Sequence, residues 1–192
     1  MSFALYMLPR RPEVWAKLPA DVLAHYVSPL TYEAQEEMRY LKWVVSETLR
    51  LFPPIAKNGR MAIGDTVLPD GGGPDGRSPL LVTKGTSVLF SVYVMQRRTD
   101  LWGPDADDFK PGRWSPDSER KGRHRWEYLP FLGGPRICPG QKVALTQTCH
   151  VLARLASAFE SIDNMDPRDW REQWTLSIAP KDAVKVKMVS AL

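Results

Sequence analysis

A cysteine set in a run of glycine and proline constrains this chain more than any other feature. The segment Phe131-Leu132-Gly133-Gly134-Pro135-Arg136-Ile137-Cys138-Pro139-Gly140 carries too much proline and glycine to be a helix interior or a central strand, so it reads as a rigid loop. A helix-periodic segment follows from about 139 to 159, with Leu145, Leu152, Leu155 and Phe159 turned inward. Cys138 therefore stands just ahead of a helix N-terminus, where unpaired amides and the helix dipole favour a thiolate. Gly134 and Gly140 permit positive φ or close approach of a flat ligand to the backbone. Arg136 offers a forked donor suited to a carboxylate, and Phe131 an apolar wall.

Together these residues describe a thiolate held toward a large, flat, apolar cofactor bearing carboxylates, and haem fits that description. The competing reading is a buried structural cysteine beside a turn, the commoner fate of an isolated Cys-Pro-Gly. The chain of 192 residues, 43% hydrophobic and 25% charged, is globular in composition rather than disordered or fibrous. Its formal charge of +4 suits acidic partners. Two cysteines, Cys138 and Cys149, exclude a disulfide scaffold and a four-thiolate zinc site. No apolar run is long enough to span a membrane as a helix. Met1 leads straight into Phe3, Ala4, Leu5, Tyr6, Met7 and Leu8 without a basic leader. That opening reads as the tail of an apolar helix, so the expectation is a truncated chain.

Periodicity divides the rest. Residues 1–8 form a helical stub stopped by Pro9; Pro12-Glu13-Val14-Trp15 opens a second helix that Pro19 should kink or shorten. Met38, Leu41, Val44, Val45, Thr48, Leu49 and Phe52 recur at helical spacing until Pro53-Pro54. Residues 60–63 and 66–68 read as short strands and residues 69–79 as a long turn-rich loop. Residues 80–82 and 87–90 predict a hairpin whose second arm is largely buried. Residues 96–136 lack a period and read as irregular. Residues 174–178 and 184–188 alternate as a closing hairpin. The fold class expected is α+β, mainly helical with small hairpins. Its parts are helices over 1–54, a small sheet over 55–95, a meander and cysteine loop over 96–137, and a helix with the closing hairpin over 138–192.

Phe131, Gly134, Arg136, Cys138 and Gly140 fill the pattern Phe-x-x-Gly-x-Arg-x-Cys-x-Gly, and in this the chain resembles the cytochrome P450 family. Glu47-Thr48-Leu49-Arg50 matches that family's Glu-x-x-Arg, whose spacing puts both side chains on one helix face. The resemblance implies a haem b cofactor with Cys138 as axial iron ligand. It implies a structural triad of Glu47, Arg50 and Arg113, the last from Pro111-Gly112-Arg113-Trp114, locking the segment that carries the cysteine loop. It also implies propionate contacts from Arg136 and from Arg60, which otherwise reads as a solvated strand arginine. Trp102 in Leu101-Trp102-Gly103 reads as packing. The chain corresponds to the C-terminal, proximal haem-side part of the fold, covering nearly its whole length.

Residues 68–76, 95–98 and 180–186 are similar to fungal microsomal relatives that hydroxylate alkanes and fatty acids. The implied activity is insertion of one oxygen atom of O2 into an aliphatic C–H bond of a hydrophobic substrate, with electrons from an NADPH-dependent flavoprotein reductase. Such relatives are endoplasmic-reticulum membrane proteins. Their Ala-Gly-x-Asp/Glu-Thr motif has no counterpart here, and Pro19 and Gly112 depart from residues common among them. A half pocket should leave one porphyrin face to water. A catalytically silent haem-binding fragment, or a haem-thiolate isomerase or lyase acting on peroxides, are therefore the alternatives to a monooxygenase. Arg120, Lys121, Arg123 and Arg125 form the densest basic run, a candidate docking patch for the reductase or else a solvated loop. Without interleaved aromatics beyond Trp126 it is not read as a nucleic-acid site. Gly71-Gly72-Gly73 lacks the Lys-Ser/Thr of a phosphate loop. Cys149-His150 reads as a buried thiol and a surface imidazole rather than metal ligands.

Overall fold

The computed structural model describes residues 1–118 and 125–191. Eight α-helices among these are α1 (Ser2–Met7), α2 (Pro12–Trp15), α3 (Leu18–Leu23), α4 (Tyr32–Glu37), α5 (Arg39–Leu51), α6 (Val92–Met95), α7 (Thr99–Trp102) and α8 (Gln141–Ala158). The strands are β1 (Lys57–Met61), β2 (Thr66–Gly72), β3 (Ser78–Val82), β4 (Ser87–Ser91), β5 (Phe159–Asn164), β6 (Glu172–Trp174), β7 (Ile178–Pro180) and β8 (Val186–Ser190). The result is α+β, with small antiparallel strand pairs around a helical centre.

α5 is the centre. Leu41, Val44 and Val45 are buried together with Leu18 and Val22 of α3 and Leu152, Ala153 and Ala156 of α8. Each fully buried Leu or Val of this kind contributes roughly 1.5–3 kcal/mol. The helix stops where Phe52, ahead of Pro53-Pro54, leaves helical geometry at φ −128°, ψ 65°. Phe52 then stacks on Phe3 of α1 at 4.4 Å between ring centroids, and Trp170 meets both rings edge-on. Pro19 proves to be a starter rather than a breaker: it occupies the first turn of α3, where its missing N–H costs nothing. α4 has no counterpart in the sequence reading. Thr31 caps it, its Oγ1 accepting from the Ala34 amide at 3.2 Å.

Strand pairing departs from the expected hairpins. β3 pairs with β2, and β4 with β1, so the β2–β3 hairpin is inserted between the arms of a β1–β4 ribbon. Much of the supposed loop at 69–79 is strand, with Gly73 and Gly76 in the left-handed region at the turn. Gly85 at φ +86° turns the chain back toward β1, where its amide donates to the Ala62 carbonyl at 2.8 Å. The second arm of the expected hairpin is not buried. Leu89 of β4 is 79% exposed, because its ribbon has only two strands and Leu89 lies over the Cβ-free Gly59. The closing hairpin is also replaced. β6 turns directly into β7 within 172–180, and β8 pairs with β5, which continues from the end of α8.

Candidate functional site

The sequence places Glu47 and Arg50 one helical turn apart on α5, and both are fully buried. Arg50 grips Glu47 with two parallel bonds, Nε to Oε2 at 2.9 Å and Nη2 to Oε1 at 2.8 Å. This is the forked geometry that a guanidinium and a carboxylate share. The remaining Arg50 protons go to backbone carbonyls of Gln96 at 2.9 Å, Asp108 at 2.9 Å and Ala106. The cation is thus satisfied without water, as a buried charge requires. It also lies 4.9 Å from the ring centre of Trp102, which fits a packing role for that tryptophan.

Glu47 accepts two further bonds, from the Lys110 amide at 2.9 Å and the Trp114 indole at 3.0 Å. Arg113, on the turn Pro111–Trp114, brings its Nε to 3.3 Å from Glu47 Oε1. Its Nη2 pairs with Asp105 Oδ1 at 2.9 Å, and Lys110 Nζ holds Asp105 Oδ2 at 2.8 Å. Those two cations, Lys110 foremost, draw the Asp105 carboxyl down from its ordinary 3.8 to about 2. Glu47 therefore gathers Lys110, Arg113 and Trp114 onto α5, while Arg50 holds Ala106 and Asp108. Trp114, the Lys110 amide and Asp105 are parts of this network that spacing alone does not reveal.

The same network reaches the cysteine loop. Trp114 packs on Tyr128 at 4.5 Å between centroids, and the Tyr128 hydroxyl donates to the Ser46 carbonyl of α5 at 3.1 Å. Burial drives the Tyr128 phenol far above its ordinary pKa, so it stays a donor. Beyond Tyr128 the chain turns at Leu132, a non-glycine residue at φ +63°, and at Gly134, φ +67°. A short turn over Gly134–Arg136 follows, and the Cys138 amide closes the loop on the Phe131 carbonyl at 2.9 Å. Gly133 was not singled out by pattern, yet a Cβ there would stand 2.6 Å from the Trp126 ring.

Cys138 is exposed and precedes α8, whose first residue is Gln141. Gly140 does not use its conformational freedom, since its φ is −82°; a Cβ on it would instead stand 3.8 Å from Cys138 Sγ. A side chain at this position would make only an ordinary contact with the sulphur. Phe131 is half-buried and lines an apolar cleft of about 180 Å³ with Ala4, Val45, Leu49, Ala144 and Leu145. Arg136 is exposed. Arg60 lies on β1 opposite Val88, and its guanidinium bonds Asn58 Oδ1 at 3.0 Å and the Gly59 carbonyl at 2.7 Å, both on its own strand. Among the described residues, these bonds hold Arg60 to its own strand and not to the cysteine loop, in contrast to the triad.

Cys149 is buried on α8, and desolvation pushes its thiol to about 11. His150 lies 3.5 Å from Gln35 Nε2. Among the described residues no group of His, Cys, Asp and Glu is arranged to hold a metal ion, and no helix is long and apolar enough to cross a membrane. Of the basic run, Arg120, Lys121 and Arg123 lie outside the described residues; Arg125 begins the turn Arg125–Glu127.

The cytochrome P450 family model matches residues 1–188. The chain is 46% identical over 187 residues to cytochrome P450 monooxygenase himC of Aspergillus japonicus, covering 97% of this chain and 33% of the relative. It is 45% identical to cytochrome P450 monooxygenase fsdH of Fusarium heterosporum, over 96% of this chain and 32% of that protein. Cytochrome P450 52A10 of Candida maltosa is 47% identical over 85% of this chain and 32% of its own length. The chain thus spans about a third of the curated relatives it matches.

Proposed function

The chain belongs to the cytochrome P450 family, and from that membership we propose that it is the C-terminal, haem-thiolate part of a monooxygenase, with Cys138 as the iron ligand. The observation that carries this reading is the Cys138 sulphur itself. It is exposed and stands on a loop closed by the 2.9 Å bond from its amide to Phe131, the residue that lines an apolar cleft. These residues fit a flat iron porphyrin, haem b, held from one face. When bound, that group supplies the oxygen chemistry of the family, in which one atom of O2 enters a C–H bond.

The chain's own residues have separate tasks in this reading. Cys138 offers its Sγ to the iron, and the 2.9 Å bond from its amide to the Phe131 carbonyl holds the backbone that carries the sulphur. Phe131 and Ala144 offer apolar contact and exclude water. Arg136 and Arg60 serve the propionates, Arg60 by releasing its bonds on β1. Glu47, Arg50 and Arg113 keep the meander in place and touch neither substrate nor cofactor. The four parts bounded at 54, 95 and 137 act as one domain in this scheme. A hydrophobic substrate such as an alkane or fatty acid follows from the resemblance in residues 68–76, 95–98 and 180–186. An NADPH-dependent flavoprotein is the electron donor, meeting the basic run from Arg120 to Arg125.

The test is reconstitution of the purified chain with haem, followed by the reduced, carbon-monoxide-bound difference spectrum. A Soret band at the thiolate-ligated position supports the reading. A nitrogen-type band, or no haem uptake, leaves a non-catalytic fragment. Product analysis with a fatty acid, NADPH and reductase, against a peroxide alone, then separates monooxygenase from isomerase.

A further inference from the structure

We propose that Gln96 is a positioning residue for the cysteine loop: its buried carboxamide transmits the placement of α5 to the backbone that holds Cys138. The proposal rests on the reading of Cys138 as the group the loop presents.

Gln96 follows α6 and is fully buried. Its Nε2 donates to the carbonyls of Leu49 at 3.1 Å and Arg50 at 2.8 Å. Both belong to the last turn of α5, where carbonyls have no donor within the helix. Its Oε1 accepts the amide of Leu129 at 2.8 Å. The neighbours therefore dictate which end of the amide is oxygen: one N–H faces one side and two carbonyls the other. The exchange with Arg50 is reciprocal, because Arg50 Nη1 donates to the Gln96 carbonyl at 2.9 Å. Side chain of each bonds backbone of the other, and the two positions cannot slide apart singly.

Leu129 is where this clasp meets the loop. Its carbonyl accepts the Leu132 amide at 3.1 Å, which sets the turn, and Phe131, inside that turn, accepts the Cys138 amide at 2.9 Å. Four hydrogen-bonded steps, the last two joined by the Phe131–Leu132 peptide, thus lead from α5 through Gln96 to the cysteine. The adjoining Tyr128 bond to Ser46 anchors the ring but leaves the Leu129 amide to Gln96. A carboxamide is suited to this place because it donates and accepts at once; methionine fills a similar volume, donates nothing and accepts only weakly.

The experiment compares the wild-type chain with Gln96→Met and Gln96→Glu by amide hydrogen exchange in the haem-free protein and by the carbon-monoxide spectrum after reconstitution. Gln96→Met is expected to accelerate exchange at both Leu129 and Cys138 by about tenfold or more and to convert most of the thiolate-type Soret band to the nitrogen type, with the chain still folded by circular dichroism. Gln96→Glu keeps the acceptor for Leu129 and loses the donors to α5. It is expected to retain more Leu129 protection than Gln96→Met, and it carries the test should Gln96→Met not fold. Faster exchange at Leu129 with Cys138 exchange and the Soret band unchanged would overturn the proposal. If the wild-type chain gives no thiolate band, the reading of Cys138 as ligand fails. The joint or separate response of the two amides in the haem-free chain still decides the role of Gln96.

Discussion

Replacing Glu47 by alanine should be the most damaging single change outside the cysteine. Glu47 is fully buried and accepts four hydrogen bonds, two from Arg50 and one each from the Lys110 amide and the Trp114 indole. Its loss leaves the fully buried Arg50 with carbonyl partners but no counter-charge. Breaking a buried pair from one side costs about 3–5 kcal/mol, and stranding the Lys110 and Trp114 donors adds about 1–3 kcal/mol for each that finds no new acceptor. Against a total stability of about 5–15 kcal/mol, the variant retains little. Taking the pair term alone, the melting temperature should fall by about 6–20 °C, at roughly 2–4 °C per kcal/mol for a domain of this size. Thermal unfolding followed by circular dichroism measures this, and haem uptake should fall with it. The double variant Glu47→Leu/Arg50→Met should recover part of the loss, because it no longer buries an unpaired charge. A Glu47→Ala melting point within about 2 °C of wild type, or a double variant no better than the single one, would refute the reasoning.

Other consequences follow from the same geometry. Asp105 has its folded pKa lowered to about 2, so its contribution is present above the ordinary carboxylate range and is lost as pH falls through the folded value. Urea midpoints measured from pH 5 to pH 2 should decline, and Asp105→Asn should flatten that decline while lowering the midpoint at pH 5. Gly133→Ala places a Cβ 2.6 Å from the Trp126 ring; a cost of about 1–3 kcal/mol and a shifted tryptophan emission are expected. Cys138 is exposed, whereas burial holds the Cys149 thiol near 11. A thiol reagent at pH 8 should therefore label Cys138 first in the haem-free chain, with mass spectrometry locating the adduct.

The legible parts of this molecule are those whose logic is local. Cys138 declares itself because proline, glycine and a helix start lie within a few residues, and Glu47 and Arg50 because their spacing is one turn of a helix bounded by Pro53-Pro54. α5 and α8 appear in the sequence as apolar periods for the same reason. α4 does not: only Ala34 and Gln35 of its six residues are buried, too few to print a stripe. Strand pairing is not legible, because alternation identifies a strand without naming its partner. Residues 80–82 pair backward with β2, and 186–190 reach back to β5, through contacts fixed by packing rather than pattern. Gln96 is illegible for the same reason, since it joins Leu49, Arg50 and Leu129 across long stretches of chain. Arg113 entered only through the family resemblance, and the structure then brings it to Glu47.

The proposed function rests on Cys138 holding iron through sulphur. X-ray absorption at the iron edge of the haem-reconstituted chain, beside Cys138→Ser, tests it without recourse to turnover. A sulphur scatterer in the first coordination shell of the wild-type chain, replaced by nitrogen or oxygen in Cys138→Ser, is the predicted result. A first shell without sulphur in the wild-type chain, or one in which sulphur survives the substitution, would contradict it.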